Sequence, residues 1–407
     1  MKNLETLIPF DTALEKVLLE TTTFGMEKRA LSSSSGCILA QKVHADRDFP
    51  PFNRSTRDGI AILCQDDEMV QGKTFAIEGI APAGTEQMEL TDPSGCIEIM
   101  TGAILPKGCN TVVMYEHLKQ EGSSFQILEE VKTGQNIHER GSDVLQDETI
   151  LEPNIRIGAA EIGVMATVGL SEVLVKTLPK VAVITTGNEL VPVHETPLPH
   201  QIRTSNSHTL VSLLTQEGIA AEAFHIQDDP LAIKETLQKL LLDFDVLLLS
   251  GGVSKGKYDF LPQVFAELEV EKVFHKVLQR PGKPFWFGKH AGSKTLVFAF
   301  PGNPVSTYVN YHLYFKSWLN ASLEQKTNGF LVALGETMEN KTPLDLFIGV
   351  QLSYAKGQIQ TLPVATSGSG DLAVLTKIDG VVRLPPNSKP YAKNELVPFL
   401  PTKPLPV

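Results

Sequence analysis

The chain has 407 residues and a mass of 44.5 kDa, which predicts several domains, since one domain usually holds about 100–200 residues. Its composition, 42% hydrophobic and 20% charged, is typical of globular proteins and excludes a wholly disordered chain. The 47 acidic and 36 basic residues give a net charge of −11, which argues against binding to nucleic acid. Anionic ligands remain compatible with this charge, because a cleft can be locally positive on an acidic protein.

The first part of the chain and its cysteines indicate a cellular compartment. Residues 1–20 read as an amphipathic helix with acidic residues rather than as a signal peptide. The apolar stretches are all far shorter than the ~20 residues of a membrane span. No two cysteines form a C-x-x-C pair, so we expect small core residues of a reduced compartment at Cys37, Cys64, Cys96 and Cys109. The sequence therefore predicts a cytoplasmic protein without a membrane or nucleic-acid partner.

The chain divides into three regions that differ in their sequence patterns. Residues 1–176 show short strand-like runs between Gly and Pro, such as 97–100 and 111–114, and residues 326–407 show short alternating strands. Residues 177–325 alternate strand with helix. In this middle region we predict strands at 181–186, 220–226, 244–249 and 295–300, and helices at 205–217, 230–242 and 305–319. This alternation predicts a doubly wound parallel α/β sheet.

Unusual loops follow four successive predicted strands. They comprise residues 186–189 (TGNE), 228–229 (DD), 250–254 (SGGVS) and 301–304 (PGNP). Open α/β sheets bind ligands beyond the carboxyl ends of their strands, so these loops should meet at one edge of the sheet. The sequence therefore predicts a binding site at that edge.

Two of these loops and one further turn predict anion binding. The candidate cradle contains Ser250, Gly251, Gly252 and Ser254, which should expose backbone N–H groups just before a helix N-terminus. A tight turn in which Gly supplies a positive φ is the alternative. The turn with Arg280 and Lys283 could hold a phosphate or another oxyanion, or could simply be solvated. The stiff loop with Pro301 and Pro304 is more typical of a pocket wall than of a plain connection.

Acidic residues at the same edge predict a cation site. Asp229 precedes Pro230 and reads as a helix cap, which leaves Asp228 free to face the cleft. With Glu189 and Asp259 it gives three carboxylates, and oxygen ligands beside a phosphate site suit Mg²⁺. A solvated acidic rim is the alternative, although it would not account for the adjacent glycines.

In this order the motifs resemble the MoeA family of molybdopterin molybdenumtransferases, which is also related to the C-terminal domain of gephyrin. The matching segments run from Phe49 to Val309 and read FPPFNRSTRDGIAI, IMTGAILPKGC, ERGSDV, EIGVMATVG, VAVITTGNELV, SGGVSKGKYDF, QRPGKPFWFG and FPGNPVSTYV. Any one of them is a weak signal, whereas eight in the correct order are specific.

The resemblance implies an elongated homodimer with four domains per chain. A linking domain would comprise 1–45 and 147–176, and an inserted β-rich domain would comprise 46–146. A molybdopterin-binding α/β domain would cover 177–325, and a C-terminal β-barrel domain 326–407.

The resemblance also implies the reaction and the role of each site residue. Family members take adenylylated molybdopterin and molybdate with Mg²⁺, release AMP, and leave molybdenum on the dithiolene as molybdenum cofactor. Glu189, Asp228 and Asp259 would be cation ligands or would orient the attacking water. Pro301 and Pro304 would shape the molybdate pocket, with Arg280 and Lys283 supplying positive charge. Three residues would be contributed by the partner subunit: Asp58, Thr101 and Asp143.

The adenylylating enzyme and the acceptor molybdoenzymes are implied as partner proteins. Four residues depart from the family pattern: Asn188 stands in place of Asp in T-G-D-E-L, Lys257 in place of Asp in G-D-Y-D-F, Arg57 in place of Met, and Ile60 where the family often has Tyr. They put the exact metal coordination in question. Two alternative functions remain open at this point, a molybdopterin adenylyltransferase-like activity and a non-catalytic scaffold. The sister adenylylating proteins usually have one short domain, which argues against the first, and the three acidic residues argue against the second.

Overall fold

A computed structural model describes residues 7–65, 69–253, 259–326, 329–355 and 358–404. Within these ranges no helix is long and apolar enough to cross a membrane. The helices are α1 Phe10–Leu18, α2 Ala159–Thr167, α3 Asn206–Gln216, α4 Pro230–Asp243, α5 Leu261–Glu267, α6 Pro304–Asn310 and α7 Lys316–Ser322. Short 3₁₀ turns lie at Leu31–Ser33, Tyr115–His117 and Leu372–Thr376, and a π-helical turn, Tyr311–Phe315, joins α6 to α7.

The first 176 residues are rich in short strands. They are β1 Met26–Ala30, β2 Val43–His44, β3 Arg54–Ser55, β4 Gly59–Ile62, β5 Thr74–Ala81, β6 Gly95–Ile99, β7 Thr111–Met114, β8 Leu118–Glu121, β9 Ser124–Ile127, β10 Ile137–His138, β11 Thr149–Leu151 and β12 Glu172–Lys176. Six of them form one sheet in the order β7-β4-β6-β5-β9-β8, and three two-stranded pairs join β1 to β12, β3 to β10 and β2 to β11. The β-rich character predicted for this region is confirmed.

The middle region contains a six-stranded sheet and a short pair. Its strands are β13 Val181–Thr186, β14 Leu190–Val191, β15 Ile202–Arg203, β16 Ala221–Ile226, β17 Val246–Ser250, β18 Val270–His275, β19 Gln279–Arg280, β20 Trp286–His290 and β21 Leu296–Phe300. The sheet order is β16-β13-β17-β21-β20-β18, and β14 pairs with β15. Strand β13, VAVITT, is buried along its whole length, as its β-branched sequence predicts for a central parallel strand.

The sheet is parallel across the four predicted strands and continues at one end into two antiparallel strands that the sequence analysis did not predict. Strands β16, β13, β17 and β21 run parallel, whereas β20 pairs antiparallel with both β21 and β18. The reason is the short connection over residues 291–295, which is long enough for a hairpin but not for the crossover that a parallel pair requires. The four strands that precede the predicted ligand loops are the parallel ones.

Predicted helices are confirmed with shifts at their ends. The N-terminal helix is shorter than expected and covers Phe10–Leu18, while residues 1–6 lie outside the described part of the chain. Asp229 caps α4, since its Oδ1 accepts a hydrogen bond of 2.8 Å from the Ala232 N–H. The helix predicted from Val305 contains a π turn, and its aromatic residues are buried, as expected of core residues: Tyr308, Tyr311, Tyr314, Phe315 and Trp318.

The last region forms a closed barrel. Its strands are β22 Phe330–Leu334, β23 Asp345–Ala355, β24 Gln358–Pro363, β25 Gly380–Leu384 and β26 Leu396–Pro401. They pair in the order β23-β24-β22-β26-β25, and β25 pairs again with β23 to close the ring. The short strand β19 adds to the outside of this ring by pairing in parallel with β23.

Hydrophobic clusters and one charged contact hold the regions together. The largest cluster joins α1, one face of the central sheet, the α6–α7 helix and residues of the barrel such as Phe347 and Val381. Arg383 of the barrel donates to Asp345 at 2.7 Å and to both carboxylate oxygens of Asp11 in α1 at 2.7 and 2.8 Å. Three of the four cysteines are buried in the first region, as predicted: Cys64, Cys96 and Cys109.

Candidate functional site

A cavity of about 1120 Å³ lies between the carboxyl edge of the central sheet and the barrel. All four strand-end loops contribute to its lining, which confirms that they meet at one edge. Every described residue predicted for this edge lines it: Glu189, Asp228, Ser250, Gly251, Gly252, Asp259, Arg280, Lys283, Pro301 and Pro304. Ser254 and Lys257 lie outside the described residues.

The glycine loop after β17 requires its two glycines. Gly251 and Gly252 have φ values of +106° and +70°, which side chains rarely adopt. A Cβ on Gly251 would lie 2.8 Å from the Thr186 carbonyl oxygen, and one on Gly252 would lie 2.7 Å from Cδ1 of Leu261. The loop therefore packs directly on the end of β13, so only glycine fits at both positions.

Among its described residues, this loop offers fewer backbone N–H groups to a ligand than the sequence predicts. The Gly251 N–H is used within the protein, because it donates to the Phe300 carbonyl at 3.1 Å. The next two N–H groups, of Gly252 and Val253, make no hydrogen bond to another described residue. The expectation that a helix N-terminus follows directly falls on residues 254–258, which lie outside the described part of the chain; the next described helix, α5, begins at Leu261. The described part of the loop could offer a phosphate the N–H groups of Gly252 and Val253.

Asn188 and Asp228 form a reciprocal pair across the ends of β13 and β16. The Asn188 side-chain oxygen accepts from the Asp228 N–H at 3.0 Å, and the Asp228 carboxylate accepts from the Asn188 N–H at 3.3 Å. An Asp at position 188 could accept the same hydrogen bond, so Asn keeps the contact and removes one negative charge. The departure from T-G-D-E-L therefore changes the charge at this position without removing the hydrogen bond.

The three predicted carboxylates influence one another. Burial raises the pKa of Asp228, and the negative charges of Glu189 and Asp259 raise it further, while the Asn188 N–H opposes the shift. The Glu189 carboxylate lies over Gly187, where a Cβ would come within 2.7 Å of both its oxygens. Gly187, with a φ of +147°, is therefore required to place that carboxylate.

The chemistry of this donor set fits a hard divalent cation. The candidate ligands are all carboxylate oxygens, and their mutual repulsion is the kind of strain that a bound cation relieves. Within the described ranges, no three His, Cys, Asp or Glu side chains form a group that could hold a metal ion by themselves. Mg²⁺ is commonly held by one or two carboxylates together with substrate phosphates and water.

A buried network positions the turn that carries Arg280 and Lys283. Gln279, fully buried, donates to the Pro281 carbonyl and to the Asn310 side chain, both at 2.9 Å, and accepts from the Tyr314 hydroxyl. The Asn310 amide donates to the Gly282 carbonyl at 3.2 Å. Both cationic side chains are exposed at the cavity, while their backbone is fixed from behind.

A second network ties the glycine loop to the loop of Pro301 and Pro304. The Asn206 side chain at the start of α3 donates to the Ser250 hydroxyl and to the Gly302 carbonyl, both at 2.7 Å. The Ser250 hydroxyl also contacts the Thr307 hydroxyl at 3.3 Å, and Thr307 donates to the Pro301 carbonyl at 2.7 Å. Asn206 therefore couples the ends of β17 and β21.

The three residues predicted in the first region lie near one another but do not line this cavity within one chain. Asp58 accepts a 2.6 Å hydrogen bond from the Thr101 N–H, which lowers the Asp58 pKa. Asp143 pairs with His138 at 2.8 Å, and His138 contacts Arg54 at 3.2 Å. Both groups flank the short pair of β3 and β10. Arg57 is exposed beside them.

Sequence reasoning missed Asn206, Gln279, Asn310 and the whole barrel wall. The cavity is also lined from the barrel side, by residues that include Leu346, Ile348, Thr366, Ser369 and Leu372. A polar residue at the first turn of a helix reads as an ordinary cap, so Asn206 carried no distinct signal. The barrel wall could not be found from motifs because it contributes mostly apolar side chains of alternating strands.

Comparisons with known proteins show which family this chain belongs to. A family model described as "MoeA N-terminal region (domain I and II)" matches residues 8–169, and one described as "Probable molybdopterin binding domain" matches residues 182–321. A molybdopterin molybdenumtransferase of Synechocystis sp. is 34% identical over 399 residues, which is 97% of this chain and 99% of the relative. One of Staphylococcus epidermidis is 30% identical, covering 92% and 90% of the two chains.

A crystal structure of a molybdopterin biosynthesis MoeA protein from Pyrococcus horikoshii superposes with a TM-score of 0.82 at 27% identity. The match covers 97% of this chain and 100% of that one, so the fold is shared from end to end. The chain belongs to the MoeA family of molybdopterin molybdenumtransferases.

Proposed function

We propose that this protein is a transferase of molybdenum cofactor biosynthesis that inserts molybdenum into molybdopterin, and that its substrate is the adenylylated form. The observation that carries the proposal is that three carboxylates, two cations and a glycine loop line the same cavity. A pyrophosphate-linked substrate needs a backbone cradle, positive charge and a group that handles water, and this cavity offers each of them. The names of the curated relatives support molybdenum transfer.

Each group of residues in the cavity has a separate role in this proposal. The N–H groups of Gly252 and Val253 bind a phosphate oxygen, and Arg280 and Lys283 bind molybdate or the second phosphate. Glu189, Asp228 and Asp259 hold the cation or orient the water that attacks the pyrophosphate link. The link breaks between the two phosphates, water supplies the new oxygen and AMP leaves, while the molybdopterin keeps its own phosphate and carries the inserted molybdenum.

Mg²⁺ is proposed as the cofactor, held by Asp228 with Glu189 or Asp259 and by the substrate phosphates. When bound, it would neutralise phosphate charge and lower the pKa of bound water. Beyond the effect of burial, the negative charges of Glu189 and Asp259 raise the pKa of Asp228, and this repulsion supports the assignment because a bound cation would offset it.

A homodimer is proposed because Asp58, Thr101 and Asp143 stand apart from the cavity of their own chain. A partner subunit could bring them to it. The four-part division at 1–45 with 147–176, 46–146, 177–325 and 326–407 is likewise proposed, and separate hydrophobic clusters support it. We also propose a cytoplasmic location and contacts with the adenylylating enzyme and acceptor molybdoenzymes.

The test is AMP release from adenylylated molybdopterin by the purified full chain, with and without molybdate and Mg²⁺. Release that needs both supports the proposal. Asp228→Asn and Asp259→Asn should each abolish release, whereas Glu235→Gln on the exposed face of α4 should leave it unchanged. Consumption of ATP with molybdopterin would instead support an adenylyltransferase, and tight binding without release would support a scaffold. Either result contradicts the proposed reaction.

A further inference from the structure

A buried histidine at the end of β18 contacts the glycine loop that follows β17. Because β18 and β21 both run antiparallel to β20, the carboxyl end of β18 lies at the same edge of the sheet as the ligand loops. His275, the last residue of β18, is 7% exposed, and its Nε2 lies 3.0 Å from the Val253 carbonyl oxygen. A carbonyl oxygen only accepts, so Nε2 carries a proton and donates this hydrogen bond. A strand outside the four that carry the predicted ligand loops therefore reaches the site from behind.

Val253 is held in two ways. Its side chain is buried in a cluster with Leu261, Phe265 and Trp286, and the residue as a whole is 1% exposed. This packing fixes the direction of its Cβ, and the hydrogen bond from His275 fixes the direction of its carbonyl. At an L-configured Cα these two directions leave one position for the backbone nitrogen. The point at which the glycine loop joins Val253 is therefore determined by groups behind the loop.

The other end of the loop is also held from behind. The Gly251 N–H donates to the Phe300 carbonyl at 3.1 Å. Gly252, between the two anchored residues, is partly exposed and lines the cavity. Its N–H makes no hydrogen bond to another described residue. The two anchors therefore fix the loop around an N–H group that is available to an anion.

We infer that His275 is a positioning residue for phosphate binding, which holds the glycine loop in its binding conformation before substrate arrives. The inference rests on the proposed function, because that proposal assigns the loop to a substrate phosphate. A loop that is already ordered loses less conformational entropy when its ligand binds, so His275 should raise the affinity without contacting substrate. A histidine that only stabilised the sheet would change how much protein is folded, but not the affinity of the folded protein for phosphate.

The test uses two amide substitutions that differ in reach. In His275→Gln the amide nitrogen lies about as far from Cα as Nε2 does, so the hydrogen bond to Val253 can be kept. In His275→Asn the side chain is one carbon shorter, and the buried Val253 carbonyl loses its donor. The matched control is His208→Asn on the exposed face of α3. Each full-length variant is titrated calorimetrically with pyrophosphate in the presence of Mg²⁺ and, separately, with molybdate.

Pyrophosphate binding should depend on the anchors of the loop, and molybdate binding should not. His275→Asn should weaken pyrophosphate about five- to tenfold, as expected for the net loss of one hydrogen bond, and His275→Gln should stay within about twofold of the wild type. Molybdate should bind to all variants equally, because the turn proposed for it is held separately by Gln279. Val253→Ala removes the other anchor and should also weaken pyrophosphate, so it decides the question if His275→Asn does not fold.

AMP release separates this inference from the proposed function. His275→Asn should raise the KM for adenylylated molybdopterin about five- to tenfold and leave kcat within about twofold, because the carboxylates are untouched. A wild-type chain whose pyrophosphate binding depends on His275 but which releases no AMP would contradict the proposed reaction and support the inference.

Four results would overturn the inference. They are no binding of pyrophosphate to the wild type, wild-type affinity in His275→Asn, an equal loss in His275→Gln and His275→Asn, and an equal weakening of molybdate and pyrophosphate. If His275→Asn does not fold, wild-type affinity for pyrophosphate in Val253→Ala overturns the inference instead.

Discussion

Replacement of Asn206 by Ala should disconnect the two loops that frame the cavity. The change removes two hydrogen bonds of 2.7 Å, one to the Ser250 hydroxyl and one to the Gly302 carbonyl. Each is worth about 1 kcal/mol, and water can partly replace the one to the exposed carbonyl, so we expect a loss of about 1–2 kcal/mol. If the loops must be joined to hold substrate, kcat/KM should fall about 5- to 30-fold.

The assay is AMP release together with hydrogen exchange of the Gly251 N–H, which bonds to Phe300 beside the same network. Exchange should accelerate in Asn206→Ala and stay at the wild-type rate in Gln238→Ala, an exposed residue of α4. Asn206→Asp keeps the size but sets a carboxylate against the Gly302 carbonyl, so it should be worse than Ala. Wild-type exchange and turnover in both Asn206 variants would refute the reasoning, because it would show that the loops hold their positions unaided.

Two further predictions concern the same edge. Gly252→Ala should destabilise the protein by about 1–3 kcal/mol in urea unfolding, because the new Cβ meets Leu261 and the φ of +70° is unfavourable. The control is Gly163→Ala, in open space within α2, which should instead stabilise the protein by about 0.5–1 kcal/mol. Equal effects of the two substitutions would contradict the packing argument. Asp228→Asn should stabilise the free protein at neutral pH. The folded-state pKa of Asp228 is raised, so its ionisation begins to cost stability as pH rises through the unfolded value of about 3.9 and costs it fully above the folded value. The thermal midpoints of variant and wild type should therefore converge near pH 3 and separate by pH 7, and a gap that persists at pH 3 would disprove this cause.

The sequence predicted the part of the fold that is local. The run VAVITT and the pair Asp229-Pro230 define a buried strand and a helix start through their own chemistry, and both are found where expected. The antiparallel end of the central sheet was missed because its two strands, Val270–His275 and Trp286–His290, were not predicted from the sequence. The π turn was missed because its residues keep the apolar spacing of an ordinary helix.

In the candidate site too, residues with a local sequence signal were predicted, and residues that act through distant partners were not. Carboxylates, glycines and prolines that follow strands can be found by motif, and the described ones do line one cavity. The roles of Asn206 and Gln279 could not be found in this way, because each depends on a partner about 30 to 100 residues away. That a second chain brings Asp58, Thr101 and Asp143 to the cavity stays a prediction.

Through the short strand β19, the barrel supports the backbone of a cavity turn that belongs to the middle region in sequence. Arg280 belongs to the middle region in sequence, yet its backbone pairs with Leu346 of the barrel. The Leu278 carbonyl likewise accepts from the Asp345 N–H at 2.9 Å. A chain cut before residue 330 would keep the central sheet and its acidic residues but would lose the support that places this arginine. The middle region is therefore continuous in sequence but does not by itself complete the cavity, because the barrel both lines that cavity and supports its Arg280 turn.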